Sequence, residues 1–240
     1  MQTLRMYRGI AVSSQNADEV IATIKSRGLP GDEGTQWRST MPSVRKIRDR
    51  LDFLYEKSDL SKDDIYQDAE RLGVDAAGSS IGGEYYAAKH NRSWEDDQPI
   101  VIVFDVDVDK VAVDCRDFLC TVFQLWDRAP EDWWSFQDAV MTDVFGSGIL
   151  RYFGSAREAN EQQRRIAMCN LACFDLDVVV AHHANRKVIA GRYGTVFTSA
   201  FSVEAPVESE SIRDVYAVSA FHQPTVDVSL DDMWGPRQST

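Results

Sequence analysis

Five consecutive apolar residues, Ile100-Val101-Ile102-Val103-Phe104, stand between Pro99 and Asp105. The run is far too short to span a membrane, and no polar residue marks a wet side. It therefore predicts a strand covered on both faces, the centre of a sheet rather than its edge. A chain built on such a strand needs partner strands on either side and a layer above and below. At 240 residues it is long enough to supply them within one well-buried domain over residues 1–240. Apolar content of 44% and charged content of 27% exclude a globally disordered chain. No stretch of 18 apolar residues and no charged leader with an apolar core occurs, so the expectation is a soluble, cytoplasmic protein without a membrane partner.

The remaining elements read in order as a mixture of strands and helices, an α+β class. Leu4–Ile10 predicts a first strand. Asn16 is placed to cap a helix through about Arg27, with Gly28 as its stop. Helical spacing from Ser43 and again from Ser61 predicts a helical insertion over about 43–73. Val74–Ser80 then reads as a strand running into a loop, and Glu84–His90 as a short helix. A helix is expected within Asp127–Phe145, and another opens at a capping box, Ser155 with Glu158. Asp177–His183 predicts a buried strand, Arg192–Val207 a strand or hairpin, and Ile212–Phe221 a last strand. The tail at about 222–240 reads as loosely attached.

The stretch Gly78-Ser79-Ser80-Ile81-Gly82-Gly83-Glu84-Tyr85-Tyr86 is costly for an ordinary loop, because glycine loses most order on folding and packs nothing. Something is expected to approach this backbone closely. Two further segments belong with it: Arg8 beside Gly9 in the first strand, and a lone carboxylate, Glu204, in Phe201–Val207. Arginine, serine pair and glutamate on three separate segments resemble the ADP-ribosyltransferases of the arginine–serine–glutamate class, toxin-like members of the glycosyltransferases. The resemblance implies a split β-sandwich of mixed sheets with flanking helices, the helical insertion lying over a cofactor cleft. It also implies NAD as substrate and transfer of ADP-ribose to a macromolecular acceptor, with release of nicotinamide and no metal.

On that resemblance Arg8 anchors phosphate and ribose, with Gly9 beside it and Arg5 as the alternative. Ser79 and Ser80 stand for the serine-containing strand, and Tyr85 or Tyr86 stacks on nicotinamide. Glu204 is the catalytic carboxylate, with Glu208 and Glu210 second. The chain departs from the family at Ser202-x-Glu204, which lacks the first glutamate of the arginine-modifying branch.

Chemistry explains why so short a set suffices. Nicotinamide leaves as a group that is already cationic, so the protein has to hold a bent dinucleotide and stabilise an oxocarbenium-like sugar. An arginine fork suits phosphate and a carboxylate suits the developing positive charge. No G-x-G-x-x-G or G-x-x-x-x-G-K-[ST] stretch occurs, which sets aside the dinucleotide-binding and phosphate-loop folds.

A net charge of −12 favours a protein over a nucleic acid as acceptor. Arg45, Lys46, Arg48 and Arg50 form the best basic patch and Arg164-Arg165 the second. Asp105, Asp107 and Asp109 alternate, as either a cation site or the wet face of a strand. His182-His183 is a metal or acid–base candidate, though neighbours on a strand point apart. The cysteines, Cys115-x4-Cys120 and Cys169-x3-Cys173, lack tight metal spacing and read as buried thiols. Two other functions fit the same residues: an acidic interaction protein using the Trp126–Trp134 region, and an NAD glycohydrolase in which water replaces the acceptor.

Overall fold

A computed structural model describes residues 3–33, 72–90, 92–113, 134–159, 162–172, 175, 177–178, 180–182, 184–185 and 201–219. The chain is α+β. Its elements in order are β1 (Thr3–Ser13), α1 (Ala17–Arg27), β2 (Asp32–Glu33), β3 (Leu72–Ala76) and α2 (Ser80–Tyr85), the last continuing as a wider turn over Tyr86–His90. Then come β4 (Asp97–Asp107), β5 (Val111–Val113), α3 (Trp134–Phe145), α4 (Leu150–Arg157), α5 (Gln162–Ala172), β6 (Phe201–Glu204) and β7 (Ile212–Ala217). The expected insertion lies outside the described residues except at its end, where Leu72 and Gly73 already belong to β3. The tail and the 45–50 basic patch lie outside them as well.

The apolar run does form a central strand. β4 sits between β1 and β7 in a sheet of order β1-β4-β7. Ile100, Ile102 and Phe104 point into the main core, and Val101 and Val103 into a smaller cluster with Ala87 on the other face. Each such side chain contributes about 1.5–3 kcal/mol by leaving water, so β4 is the fixed reference for everything beside it. The second sheet has the order β2-β3-β6-β5. Every described pairing is antiparallel, so the expectation of mixed sheets is corrected. Short hairpin-like and crossover connections both permit this arrangement; the sequence pattern alone carried no information on strand direction.

The main core fills the space between the two sheets and the helices. Met6 of β1, Val74 of β3, Phe201 and Val203 of β6, Val140, Val144 and Phe145 of α3, and Phe153 and Ala156 of α4 all belong to it. Helix α1 ends where expected. Gly28 closes it at φ +74°, and a side chain there would also strike the Val207 carbonyl oxygen at 2.0 Å. Asn16 precedes α1 without a side-chain capping bond.

Two predicted elements are corrected. Ser155 does not open a helix; it lies inside α4, where its Oγ donates to the Arg151 carbonyl at 2.9 Å, and Glu158 stands at the C-terminal end. The letters of a capping box recur inside helices whenever a serine bonds back to the preceding turn. Asp177–His183 is helical where described, not a strand. Val178 and His182, four apart, enter the core together, with the His182 ring stacked on Phe145 at 5.4 Å. Packing on α3 has overridden the preference of three successive valines for a strand.

Candidate functional site

β3 is the strand that gathers the expected residues. One edge of it pairs with β6, Gly73 opposite Glu204 and Asp75 opposite Ser202. The other edge is shared: β2 takes Leu72 and Gly73, and β1 takes Ala77. The contact with β1 consists of two hydrogen bonds, Tyr7 N–H to Ala77 O at 2.9 Å and Ala77 N–H to Tyr7 O at 2.7 Å. Between those two attachments lies the carbonyl of Asp75, and the Arg8 guanidinium donates to it at 3.2 Å.

Arg8 belongs to the row Leu4, Met6, Arg8, Ile10 and Val12, which otherwise faces the main core. It is the one charged side chain on that face of β1 and is half-buried. The alternative anchor, Arg5, lies on the opposite face, where its guanidinium is engaged by Asp105 at 2.9 Å. Asp105 also accepts from Arg213 at 2.7 Å, and these contacts, Arg5 first, hold its carboxyl below the usual range. Of the three alternating aspartates, Asp105 is therefore an ion-pair partner across the β1-β4-β7 sheet.

Glu204 is half-buried at the end of β6. Phe201 and Val203 face the core, so Ser202 and Glu204 face the other way, on the same side as Asp75. The bridge of Tyr7 with Ala77 carries that side of β3 into the side of β1 that bears Tyr7 and Gly9. Arg8 and Glu204 thus reach neighbouring positions on β3 from opposite faces of the sheet, the guanidinium entering in the plane of the strands. Glu208 and Glu210 are exposed in the turn Ser209–Ser211 and its flank, beyond the bridge of Val207 with Leu29 and away from β3.

The serine pair lies further off. Ser79 caps α2, accepting from Gly82 N–H at 3.3 Å, and Ser80 is its first residue. Ser79 is six positions beyond Gly73, so at about 3.3 Å per residue it stands up to about 20 Å along the chain from the level of Glu204. Gly82 and Gly83 are helical rather than part of a loop, and what approaches them is β1 itself. A side chain on Gly9 would lie 2.0 Å from the Gly83 carbonyl oxygen and 2.5 Å from Ala87 N. Gly9, expected to contact a cofactor, thus has a packing role that sequence reasoning missed. Tyr85 and Tyr86 meet edge to face at 5.9 Å, and Tyr85 shares a helical stripe with the exposed Ile81 and Lys89. Glu84 accepts a hydrogen bond from Tyr216 Oη at 3.0 Å, which ties α2 to β7.

The structure therefore brings Arg8 and Glu204 to one short strand and leaves Ser79, Ser80, Tyr85 and Tyr86 on the helix that follows it. Asp75 and Ser202 join the first group without having been singled out. Their signal was present as alternation, Val74-Asp75-Ala76 against Phe201-Ser202-Val203.

The other candidates fall away from this site. Arg165 is buried, so Arg164-Arg165 is not a surface patch. Cys169 is a buried thiol; Cys115, Cys120, Cys173 and His183 lie outside the described residues. A polar recess of about 320 Å³ lies beside the start of β4, lined among others by Arg92, Asp97 and Val218. Two of its charged side chains are engaged locally: Arg92 bonds to the carbonyls of Trp94 and Glu95, and Asp97 to the N–H groups of Ser93 and Trp94. No described helix is long and apolar enough to cross a membrane. Compared with known protein families, with curated proteins and with solved structures, the chain finds no match.

Proposed function

We propose that this chain is an ADP-ribosyltransferase with a split β-sandwich, which cleaves NAD at the nicotinamide bond and transfers ADP-ribose to a macromolecular acceptor. The observation that carries the reading is the placement of Arg8. Arg8 stands on the core face of β1, between Met6 and Ile10, and its guanidinium reaches the Asp75 carbonyl where the two sheets meet. It emerges there at the edge of the strand that Glu204 flanks.

On this reading the pyrophosphate crosses the edge of β3 at Arg8, whose planar fork takes two phosphate oxygens. The nicotinamide ribose then rests on the outer face, where the Glu204 carboxylate stabilises the sugar cation as the carbon–nitrogen bond breaks. The electron pair of that bond returns to the ring nitrogen and neutralises nicotinamide. The acceptor is a protein rather than a nucleic acid, given the charge of −12.

Incubation of the full chain with labelled NAD and a cell lysate tests the reading. Label on protein supports transfer, free ADP-ribose marks a glycohydrolase, and untouched NAD removes both. Glu204→Gln keeps the fold and loses about 10²–10³-fold in nicotinamide release, the usual cost of one charge-stabilising group. Arg8→Ala weakens NAD binding as well. Parent-like rates in both variants would refute the assignment.

A further inference from the structure

Three large apolar side chains stand out into water among the described residues, and Trp94, 72% exposed, is the largest of them. It is not on a loose loop. The N–H groups of Trp94 and Ser93 donate to the Asp97 carboxylate at 2.9 and 3.1 Å, and the Trp94 carbonyl accepts from Asp97 N–H at 3.2 Å. The Arg92 guanidinium donates to that same carbonyl at 3.1 Å and to the carbonyl of Glu95. Five exposed residues, Arg92–Asp96, are thus held in one shape with an indole among them. Tryptophan gains more by burial than almost any side chain, and at fixed, accessible positions it is enriched where proteins grip one another.

The same loop walls the recess of about 320 Å³ beside the start of β4, which has room for a long side chain. Its charges are not balanced. Arg92 and Asp97 are spent on the loop itself, whereas the side chains of Glu95 and Asp96, both lining the recess and both exposed, have no hydrogen bond or ion pair among the described residues. Ala88 brings the C-terminal end of the α2 extension to the opposite wall, and that end of a helix favours a cation. Indole, carboxylates and helix end all select the same sign of charge. A nucleic acid or an anionic membrane would be repelled here.

We propose that this surface docks a basic segment of a partner protein, with an arginine entering the recess to meet Glu95 and Asp96 while the segment lies against Trp94. A guanidinium suits the place because its planar fork pairs with carboxylates and its face stacks on indole, which the point charge of a lysine does less well. The net charge of −12 draws such a partner in, and the carboxylates at the rim set its orientation. The inference goes beyond the ADP-ribosyl-transfer reading and does not depend on it. The recess lies between the start of β4 and Val218 at the end of β7, and nothing in the docking calls for NAD.

The test titrates the full chain, labelled with ¹⁵N, with a tetra-arginine peptide at low salt and without NAD. The six tryptophan indole N–H resonances are followed, and Trp94→Ala assigns one of them by its loss. The Trp94 resonance is expected to move ahead of the others. Fluorescence anisotropy of dye-labelled peptide should show binding weakened at least about 10-fold by Trp94→Ala, and as much by Glu95→Gln with Asp96→Asn. These residues are exposed and Asp97 is left in place, so the urea midpoints stay at the parent's value. Asp18→Asn with Glu19→Gln removes the same charge from the exposed start of α1 and is expected to bind as the parent does. An equal loss in that control, or a Trp94 resonance that does not move, overturns the proposal. A Trp94 resonance that moves on concentrating the chain alone assigns the surface to a second copy and overturns it too. Each of these failures leaves the transferase reading untouched, and a chain inert towards NAD leaves this inference standing.

Discussion

Gly9→Ala is the sharpest test of how the serine–glycine stretch works. The added methyl would lie 2.0 Å from the Gly83 carbonyl oxygen, where ordinary contact begins at 3.4 Å, so the helix must retreat by more than 1 Å. Both clashing groups, Gly83 O and Ala87 N, are backbone, and no rotamer change relieves them. Overpacking of this kind costs about 1–3 kcal/mol. A retreating α2 also stretches the bond from Tyr216 to the Glu84 carboxylate, worth about 1.5–2 kcal/mol where it is half-buried. The expected loss is about 3–5 kcal/mol, a large share of the 5–15 typical of a domain. In urea, with a slope of about 3 kcal/mol/M for a chain of this size, the midpoint falls by roughly 1–1.7 M. A midpoint within about 0.2 M of the parent, with NAD binding abolished, would refute the packing argument and return Gly9 to a cofactor role.

The ion pairs and the tether of α2 give two more checks. Asp105→Asn removes the partner of Arg5 and Arg213 at a cost of no more than about 1 kcal/mol, being near the surface. The Asp105 carboxyl is held below its ordinary value, so this contribution is present above about pH 4 and is lost as pH falls from there through the lowered value. Parent and variant stabilities, followed by urea titration, should differ at neutral pH and converge in acid; a gap that persists in acid contradicts the assignment. Burial, and then the Glu84 carboxylate, push the Tyr216 phenol well above its ordinary range, so it remains a donor throughout neutral pH. Tyr216→Phe should cost about 1.5–2 kcal/mol and speed hydrogen exchange in the 83–90 backbone, whereas unchanged exchange there would show that α2 is held without it.

What the sequence disclosed follows from which signals are local. β4 was legible because a doubly covered strand leaves no polar position, and α1 because Gly28 had to stop it. Arg8 and Glu204 were legible as odd charges in apolar strands, and the structure sets both beside β3. Their approach from opposite faces was not, since it depends on β1 and β6 taking different edges of one strand. Gly82 and Gly83 announced a close approach without naming its partner. That partner, Gly9, is more than seventy positions away, and only tertiary packing makes the two ends one motif. Asp75 and Ser202 were hidden for the same reason: neither is unusual in its own segment, and their pairing is a property of register. The helical residues described at 177–178, 180–182 and 184–185 went unread because the valines there favour a strand locally, although Val178 and His182 already stood at helical spacing.

Among the described residues one bridge, Tyr7–Ala77, joins the two sheets and makes a seam between them. Two backbone hydrogen bonds and one from Arg8 cross it among the described residues, together about 3 kcal/mol at roughly 1 kcal/mol each, while β1 and β4 are in register from Thr3 to Ser13. Breathing between the sheets therefore begins beside Arg8, and it separates the guanidinium from the carboxylates before it loosens the scaffold that carries them. A molecule able to grip both lips would hold the seam shut.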